Sequence, residues 1–433
     1  MVNTFVGIVG IVLLILFLFS GMPVGFLMAL LGFAGFSCVI SIKAGLGIVI
    51  KDIFGVFSSY NLTVIPLFIL MGQIAFHAGI SRRLYDAAHI LSKHLPGGLA
   101  IATIGACASF AAICGSTNAS AATMTAVALP EMKRYGYGMK LATGTIAAGS
   151  SLGIMIPPSV IFIIYGIMTQ QSIGKLFIAG IVPGLLIALL FIVTICVWVK
   201  LKPGVAPYKQ NDFGCAKSDV LIGVAESIFL FLLVMGGLFA GFFTPTEAGA
   251  IGAGGTILLS VLRKNLTWSK FIQAVLESTK TSCMVLMIVA GATIFGHFLA
   301  ITRLPFTLAN WVTVLPLPHG LIMIIIILLY FVLGCFIDAL ALILLTIPIF
   351  YPVVMAMGYN PIWFGVVIVL VTQIGVITPP VGVNVYVVSG IAKGVPLETI
   401  FKGAFPFLLS LLLCALLLVL FPQISLFLPG LMK

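Results

Sequence analysis

Few residues in this chain could do chemistry, and they cluster in two stretches. The first holds CGSTNASAATM at 114–124 and GIMIPPS at 153–159; the second holds GCFIDALAL at 334–342 and GVITPPV at 375–381. Asp338 is the one carboxylate in the middle of a long apolar region, and an ionisable group at such depth is costly and usually functional, with a partner. No Lys or Arg lies near it in sequence, so a bound cation is an attractive partner. A purely structural role, accepting hydrogen bonds from the backbone N–H groups of its own turn, is the alternative. In place of a carboxylate the first stretch offers Ser116, Thr117, Asn118 and Ser120. Helix capping accounts for such residues at a turn, and capping is compatible with ion binding.

The two breaks at Pro157-Pro158 and Pro379-Pro380 add oxygens of a second kind. A proline has no backbone N–H, so the carbonyl one turn earlier loses its helical partner. At membrane depth such carbonyls are tolerated where they line a cavity or bind something. Carbonyl, hydroxyl and carboxylate oxygens together suit a hard ion such as Na⁺ rather than a soft metal. Ser150, Ser151 and Ser159 flank the first break; Asn384 and Tyr386 flank the second. Asn384, on an otherwise apolar helix, is the best candidate for touching substrate, with an interhelical hydrogen bond as its structural alternative. A helix starting after Asn118 would aim its positive end at the same space, which suits an anion.

Composition says where these stretches must sit. Of 433 residues, 62% are hydrophobic and 7% charged, against about 25% charged in a soluble domain. This is an all-α chain for a lipid bilayer. The net charge of +11 comes from basic residues scattered through short loops with no dense patch, so nucleic acid is not the partner. Basic loops held on the cytoplasmic side explain it. The eight cysteines show no CxxC or metal-ligand spacing and read as small buried hydrophobes. There is no HExxH and no GxxxxGK[ST], which argues against a metalloprotease and an ATP-driven pump. The N-terminus lacks a basic n-region and an A-x-A-like site, so it reads as a first membrane helix.

The elements that position the candidate residues occur twice. Gly115 and Gly334, Pro130 and Pro348, and Pro157 and Pro379 recur in the same order at nearly constant offset. In each half two short apolar segments flank a polar tip, which reads as a re-entrant hairpin, and an interrupted helix follows. The expected first hairpin is Leu99–Cys114, a tip at Gly115–Asn118 and Ala119–Pro130. The second is His319–Leu333, Gly334–Asp338 and Ala339–Met357. The interrupted helices are Leu141–Met168 and Trp363–Gly390. The other expected spans are Thr4–Phe19, Pro23–Ile42, Asn61–His77, Lys175–Val199, Val220–Ala240, Glu247–Leu262, Thr281–Ala300 and Leu397–Phe421. That makes about ten transmembrane helices besides the hairpins. Two further helices, near 81–95 and 268–278, read as lying along the membrane surface, the first equally well as a plain connector. FTPTE at 243–247 reads as a turn and N-cap.

Placing the N-terminus outside puts most of the 21 basic residues in inside loops. The first hairpin is flanked by Arg82, Arg83, Lys93, Lys133, Arg134 and Lys140. The second has no Lys or Arg near it except Arg303. The hairpins therefore enter from opposite sides, and such inverted repeats with interrupted helices mark secondary transporters. The expected organisation is 1–78 as scaffold, 79–199 as the first repeat, 200–280 as a cytoplasmic loop with scaffold and surface helices, and 281–433 as the second repeat. An ion channel could use similar carbonyl-lined breaks but needs no alternating gates. A membrane enzyme needs a catalytic constellation, and the deep segments offer one Asp and no such pair.

The motifs GSTNASAATM, GIMIPPS, FTPTEAG, GCFIDALALILLTIPIFYPV and GVITPPVGVNVYVVSG, in this order across essentially the whole chain, resemble the large membrane subunit of TRAP transporters, the DctM-like tripartite ATP-independent periplasmic carriers. The resemblance implies an elevator-type carrier with a scaffold and a moving core, coupled to Na⁺. It implies a small four-helix membrane partner, here a separate chain, and a periplasmic binding protein that delivers an organic acid. One Na⁺ site would then join Ser116, Thr117 and Ser120 to Gly153 and Pro157. The other would join Gly334 and Asp338 to Thr378 and Pro379. Asn118, Ser159, Asn384 and Tyr386 would face the substrate. At Ser120, where some members carry an acidic residue, this chain has a neutral one.

Overall fold

A computed structural model describes residues 2–18, 20–92, 94–207 and 217–432. Much of the expected cytoplasmic loop at 200–219 lies outside the described residues. Every regular element among the described residues is helical, as the apolar composition requires, because a helix satisfies its own backbone in lipid.

The first hairpin is formed by Gly98–Cys114 and Thr117–Arg134, the second by His319–Gly334 and Ala339–Ala356. Gly115 closes the first turn with φ +59°, in the left-handed region that favours glycine. Ser116 then caps the next helix by accepting from the Ala119 N–H at 3.4 Å. In the second turn Asp338 is the cap, accepting from the Leu340 N–H at 3.1 Å. The interrupted helices are also as expected. The first runs Met139–Ser150, Leu152–Met155 and Val160–Thr169; the second runs Pro361–Gly375 and Val383–Ile391. Both Pro-Pro bonds, Pro157-Pro158 and Pro379-Pro380, are cis.

The interrupted helices are the centre of the molecule. Every residue from Ile362 to Gly375 is buried, as is nearly every one from Leu141 to Tyr165. Each interrupted helix packs on its own hairpin, and the two cross each other. Leu397–Leu420 braces the first at Gly144 and Gly403, where a Cβ on Gly144 would collide with the Gly403 backbone and a Cβ on Gly403 with the Lys140 carbonyl. Around this core the first and middle parts of the chain pack together. Val24–Val39 lies against Trp268–Thr302, and Val64–His77 against Pro245–Leu262. The FTPTE turn forms a complete capping box: Thr244 Oγ1 accepts from the Glu247 N–H at 3.3 Å, and Glu247 Oε2 from the Thr244 N–H at 2.8 Å.

Several expectations change. The helix expected on the membrane surface near 268–278 is the first third of one continuous helix, Trp268–Thr302. Its 35 residues reach about 52 Å at 1.5 Å per residue, well beyond a bilayer core of about 30 Å. No Gly, Pro or cap interrupts the polar stretch. Thr279 and Thr281 bond back to the Val275 and Glu277 carbonyls, at 2.8 and 2.9 Å, so the helix runs through. The other surface candidate, Ile80–Ser92, is a connector docked on Gly98–Cys114 and Lys217–Phe231, with Leu84, Tyr85 and Ala87 buried. Leu304–Val314 and Gln423–Gly430 are helices absent from the sequence reading.

Candidate functional site: two hairpin tips on two helix breaks

Each hairpin tip sits on the break of its own repeat. A Cβ at Gly153 would lie 3.2 Å from the Ser116 carbonyl carbon and 3.3 Å from both the Ser116 oxygen and the Thr117 nitrogen. Gly115 lies as tightly against the Pro158 carbonyl. In the second repeat Gly334 lies backbone to backbone with Gly375, and the Val381 N–H donates to the Cys335 carbonyl at 3.2 Å. Glycine is required at Gly115 and Gly375, where a Cβ would collide with the facing carbonyl, while a Cβ at Gly153 would be tight and one at Gly334 would make ordinary contact. Ser116, Thr117, Gly153 and Pro157 therefore belong to one locus. Gly334, Thr378 and Pro379 belong to the other, through Cys335, Gly375 and Val381.

The breaks are partly repaired from within. Pro158 cannot donate to the Ile154 carbonyl, and the Ser159 hydroxyl donates to it instead, at 2.5 Å. Ser159 is fully buried, and its proton is committed to the backbone while its oxygen lone pairs remain able to accept. In the second break Pro380 cannot serve the Val376 carbonyl, and the Asn384 N–H does so at 3.0 Å. Thr378 Oγ1 donates to the Ile374 carbonyl at 2.7 Å, leaving its oxygen lone pairs able to accept a cation.

Asn384 does more than flank the break. Its Nδ2 donates to the Ala147 carbonyl and to Ser150 Oγ, both at 3.2 Å, which ties the second interrupted helix to the first. Gln373, which the sequence reading passed over, makes the parallel bridge: its Nε2 donates to Ser151 Oγ at 2.9 Å. The same signal that marked Asn384, a lone amide in an apolar run, would have found it. Asn384 Oδ1, Gln373 Oε1, Ser120 Oγ, Thr123 Oγ1 and Thr145 Oγ1 are buried with no hydrogen-bond partner among the described residues. Buried acceptors are ordinarily satisfied, so this concentration of spare oxygens in the core fits a polar or cationic guest.

Asn118, Tyr386, Pro379 and Asp338 are exposed at the rim. The Asp338 carboxylate caps its own helix, so the structural role weighed for it is present, and no ion pair to it occurs among the described residues. Nor is there any group of three His, Cys, Asp or Glu side chains among them that could hold a metal. What the tips and breaks gather is hydroxyl and carbonyl oxygens.

Paired hairpins on crossed, interrupted helices define a membrane transporter, and the comparisons agree. A solved structure with this fold is the Alcanivorax borkumensis YdaH transporter: the TM-score is 0.55 at 16% identity, covering 88% of this chain and 89% of that one. The chain belongs to the family described as Tripartite ATP-independent periplasmic transporter, DctM component, which it matches over residues 11–424. It is 36% identical over 374 residues to the C4-dicarboxylate TRAP transporter large permease protein DctM of Pseudomonas aeruginosa, covering 86% of each. It is 34% identical over 420 residues to the sialic acid TRAP transporter large permease protein SiaM of Vibrio cholerae, covering 96% of each. The chain is thus a TRAP-type large permease, a multi-pass inner-membrane protein.

Proposed function

We propose that this permease is a Na⁺-coupled secondary transporter that imports a small organic acid of the C4-dicarboxylate, keto acid, sugar acid or sialic acid class. A periplasmic binding protein delivers the acid, and a small four-helix membrane subunit completes the scaffold. The observation that carries the reading is the contact of each hairpin tip with the break of its own repeat, two equivalent gates on one buried core. Na⁺ at each contact would draw oxygens from the tip and from the break: Ser116, Thr117 and Ser120 with Gly153 and Pro157, and Gly334 and Asp338 with Thr378 and Pro379. The helices starting at Thr117 and Ala339 turn their positive ends toward the tips, which favours a carboxylate. Asn118, Asn384 and Tyr386 supply polar contacts to that substrate. The N-terminus lies in the periplasm, so the hairpins open to opposite sides. The core moves as one body against the outer helices, in an elevator cycle.

The test is uptake into proteoliposomes holding the chain with its small subunit, with binding protein outside and a panel of these acids. The expected result is saturable uptake of one class that needs an inward Na⁺ gradient and the binding protein. Equal uptake with choline in place of Na⁺ overturns the coupling. Equal uptake by the single chain without either partner overturns the tripartite assembly.

A further inference from the structure

Away from the gates, a groove of about 480 Å³ opens between Ile80–Ser92, Gly98–Cys114, Ile173–Leu201 and the helix from Lys217. Its walls are almost wholly apolar; Leu84, Leu91, Ala108, Pro157, Leu185 and Ile228 are among them. Leu91, Leu185 and Ile228 are largely exposed there. The groove therefore reaches from the outer surface to the back of the first helix break.

A charged cluster lies beside this groove: Arg83 packs against Gly223, the residue before Val224 of the wall. Leu84 follows Arg83 in sequence, and Ser227, also in the wall, follows Glu226. The buried Glu226 carboxylate is shared by two arginines, with Arg83 Nη2 at 3.1 Å and Arg263 Nε at 2.6 Å. Two cations on one anion leave a surplus positive charge. The Arg263 and Arg83 side chains stay 43% and 23% exposed, so the cluster keeps positive charge open to a further anion.

We propose that the groove is a binding site for an anionic phospholipid of the surrounding bilayer. An acyl chain lies along Leu84, Ala108 and Ile228, and the phosphate rests at Arg83 and Arg263. Basic pockets among membrane helices bind such headgroups, and arginine matches a phosphate better than any other side chain. A protein helix is the wrong occupant. At about 10–12 Å across with a 5.4 Å rise per turn, roughly one turn would fill the groove. The lipid would occupy the seam between the helix from Lys217 and the first hairpin, leaving no void where those elements meet.

The experiment extracts the full chain with its small subunit in a lipid-retaining polymer, moves it to mild detergent, and measures retained phospholipid by native mass spectrometry. About one anionic phospholipid per chain is expected, with zwitterionic lipid washed out. Ala108→Phe and Ile228→Trp, which fill the groove from opposite walls, should each lose most of it. Arg83→Gln should abolish the preference for anionic headgroups while leaving the groove open. Two fillers on different helices, each checked for a sharp thermal transition, guard against one variant merely misfolding. Equal retention in both fillers, equal retention of zwitterionic lipid by the unaltered chain, or a crosslink placing the small subunit's helix against Ala108 overturns the proposal.

Discussion

Asn384 and Ser150 meet side chain to side chain at 3.2 Å although 234 residues separate them. With the Gln373–Ser151 bond, they make the crossing of the two repeats a hydrogen-bonded joint inside an apolar core. Removing one amide loses the buried bonds across the joint, about 0.5–1.5 kcal/mol each, while Ser150 and Ser151 keep their own bonds to the Ala147 and Ala148 carbonyls. Asn384→Ala and Gln373→Ala should therefore each lower stability by that order, seen as earlier thermal unfolding. Only Asn384→Ala should also raise the KM for uptake, because of these two residues only Asn384 is assigned to substrate. Unchanged unfolding of both variants would show that the joint contributes nothing.

The close approach at Gly153 makes a second prediction. The atoms a Cβ would meet, at 3.2–3.3 Å, belong to the backbone of Ser116 and Thr117, which cannot rotate away as a flexible side chain can. Gly153→Ala should slow uptake modestly, and Gly153→Val more than tenfold, with little change in the amount of folded protein. A cysteine at Ser116 should become faster to label in the Gly153→Val background. Full activity of Gly153→Val would mean that the tip need not seat on the break.

How much of this was legible beforehand depended on contrast. Gly115, Pro157, Gly334 and Pro379 stood out because glycine, proline and polar residues are punctuation in an apolar text, and the structure places a tip or a break at each. Trp268–Thr302 was misread because its Ser, Thr and Lys residues resemble a membrane boundary in composition, while helix continuity depends on hydrogen bonds that composition does not show. The bond from Ser159 to the carbonyl that Pro158 leaves open is equally hidden from composition, because it depends on how the break folds back on itself. The Arg83–Glu226–Arg263 cluster was invisible for another reason. Its members come from three distant segments, and only packing brings them together.

The proposed inversion yields a third prediction, about sidedness. Gly136, between the first hairpin and the first interrupted helix, has φ +74° and is a poor site for a probe, whereas its neighbour Lys133 is exposed. Ala356 is exposed at the end of the second hairpin. In a background cleared of reactive cysteines, Lys133→Cys should be labelled only from the cytoplasm and Ala356→Cys only from the periplasm. Labelling of both from one side would abolish the inversion, and alternating access through these two hairpins with it.

The last prediction separates the two roles of Asp338. Its carboxylate caps the helix that begins at Ala339, through the Leu340 N–H, and it is assigned to balance a Na⁺ beside Thr378 and Pro379. Asn caps a helix about as well as Asp, whereas Ala costs about 1 kcal/mol at such a position. Asp338→Asn should therefore keep the thermal transition of the unaltered protein, and Asp338→Ala should lower it slightly. Without the negative charge the cation loses its strongest attraction at the tip. Both variants should then show steeply reduced Na⁺-driven uptake and a higher Na⁺ concentration for half-maximal rate. Ser120→Asn changes only a neutral oxygen and should do less. If Asp338→Asn inserts normally and transports with an unchanged Na⁺ dependence, the carboxylate serves the helix alone, and the second ion site must be built without it.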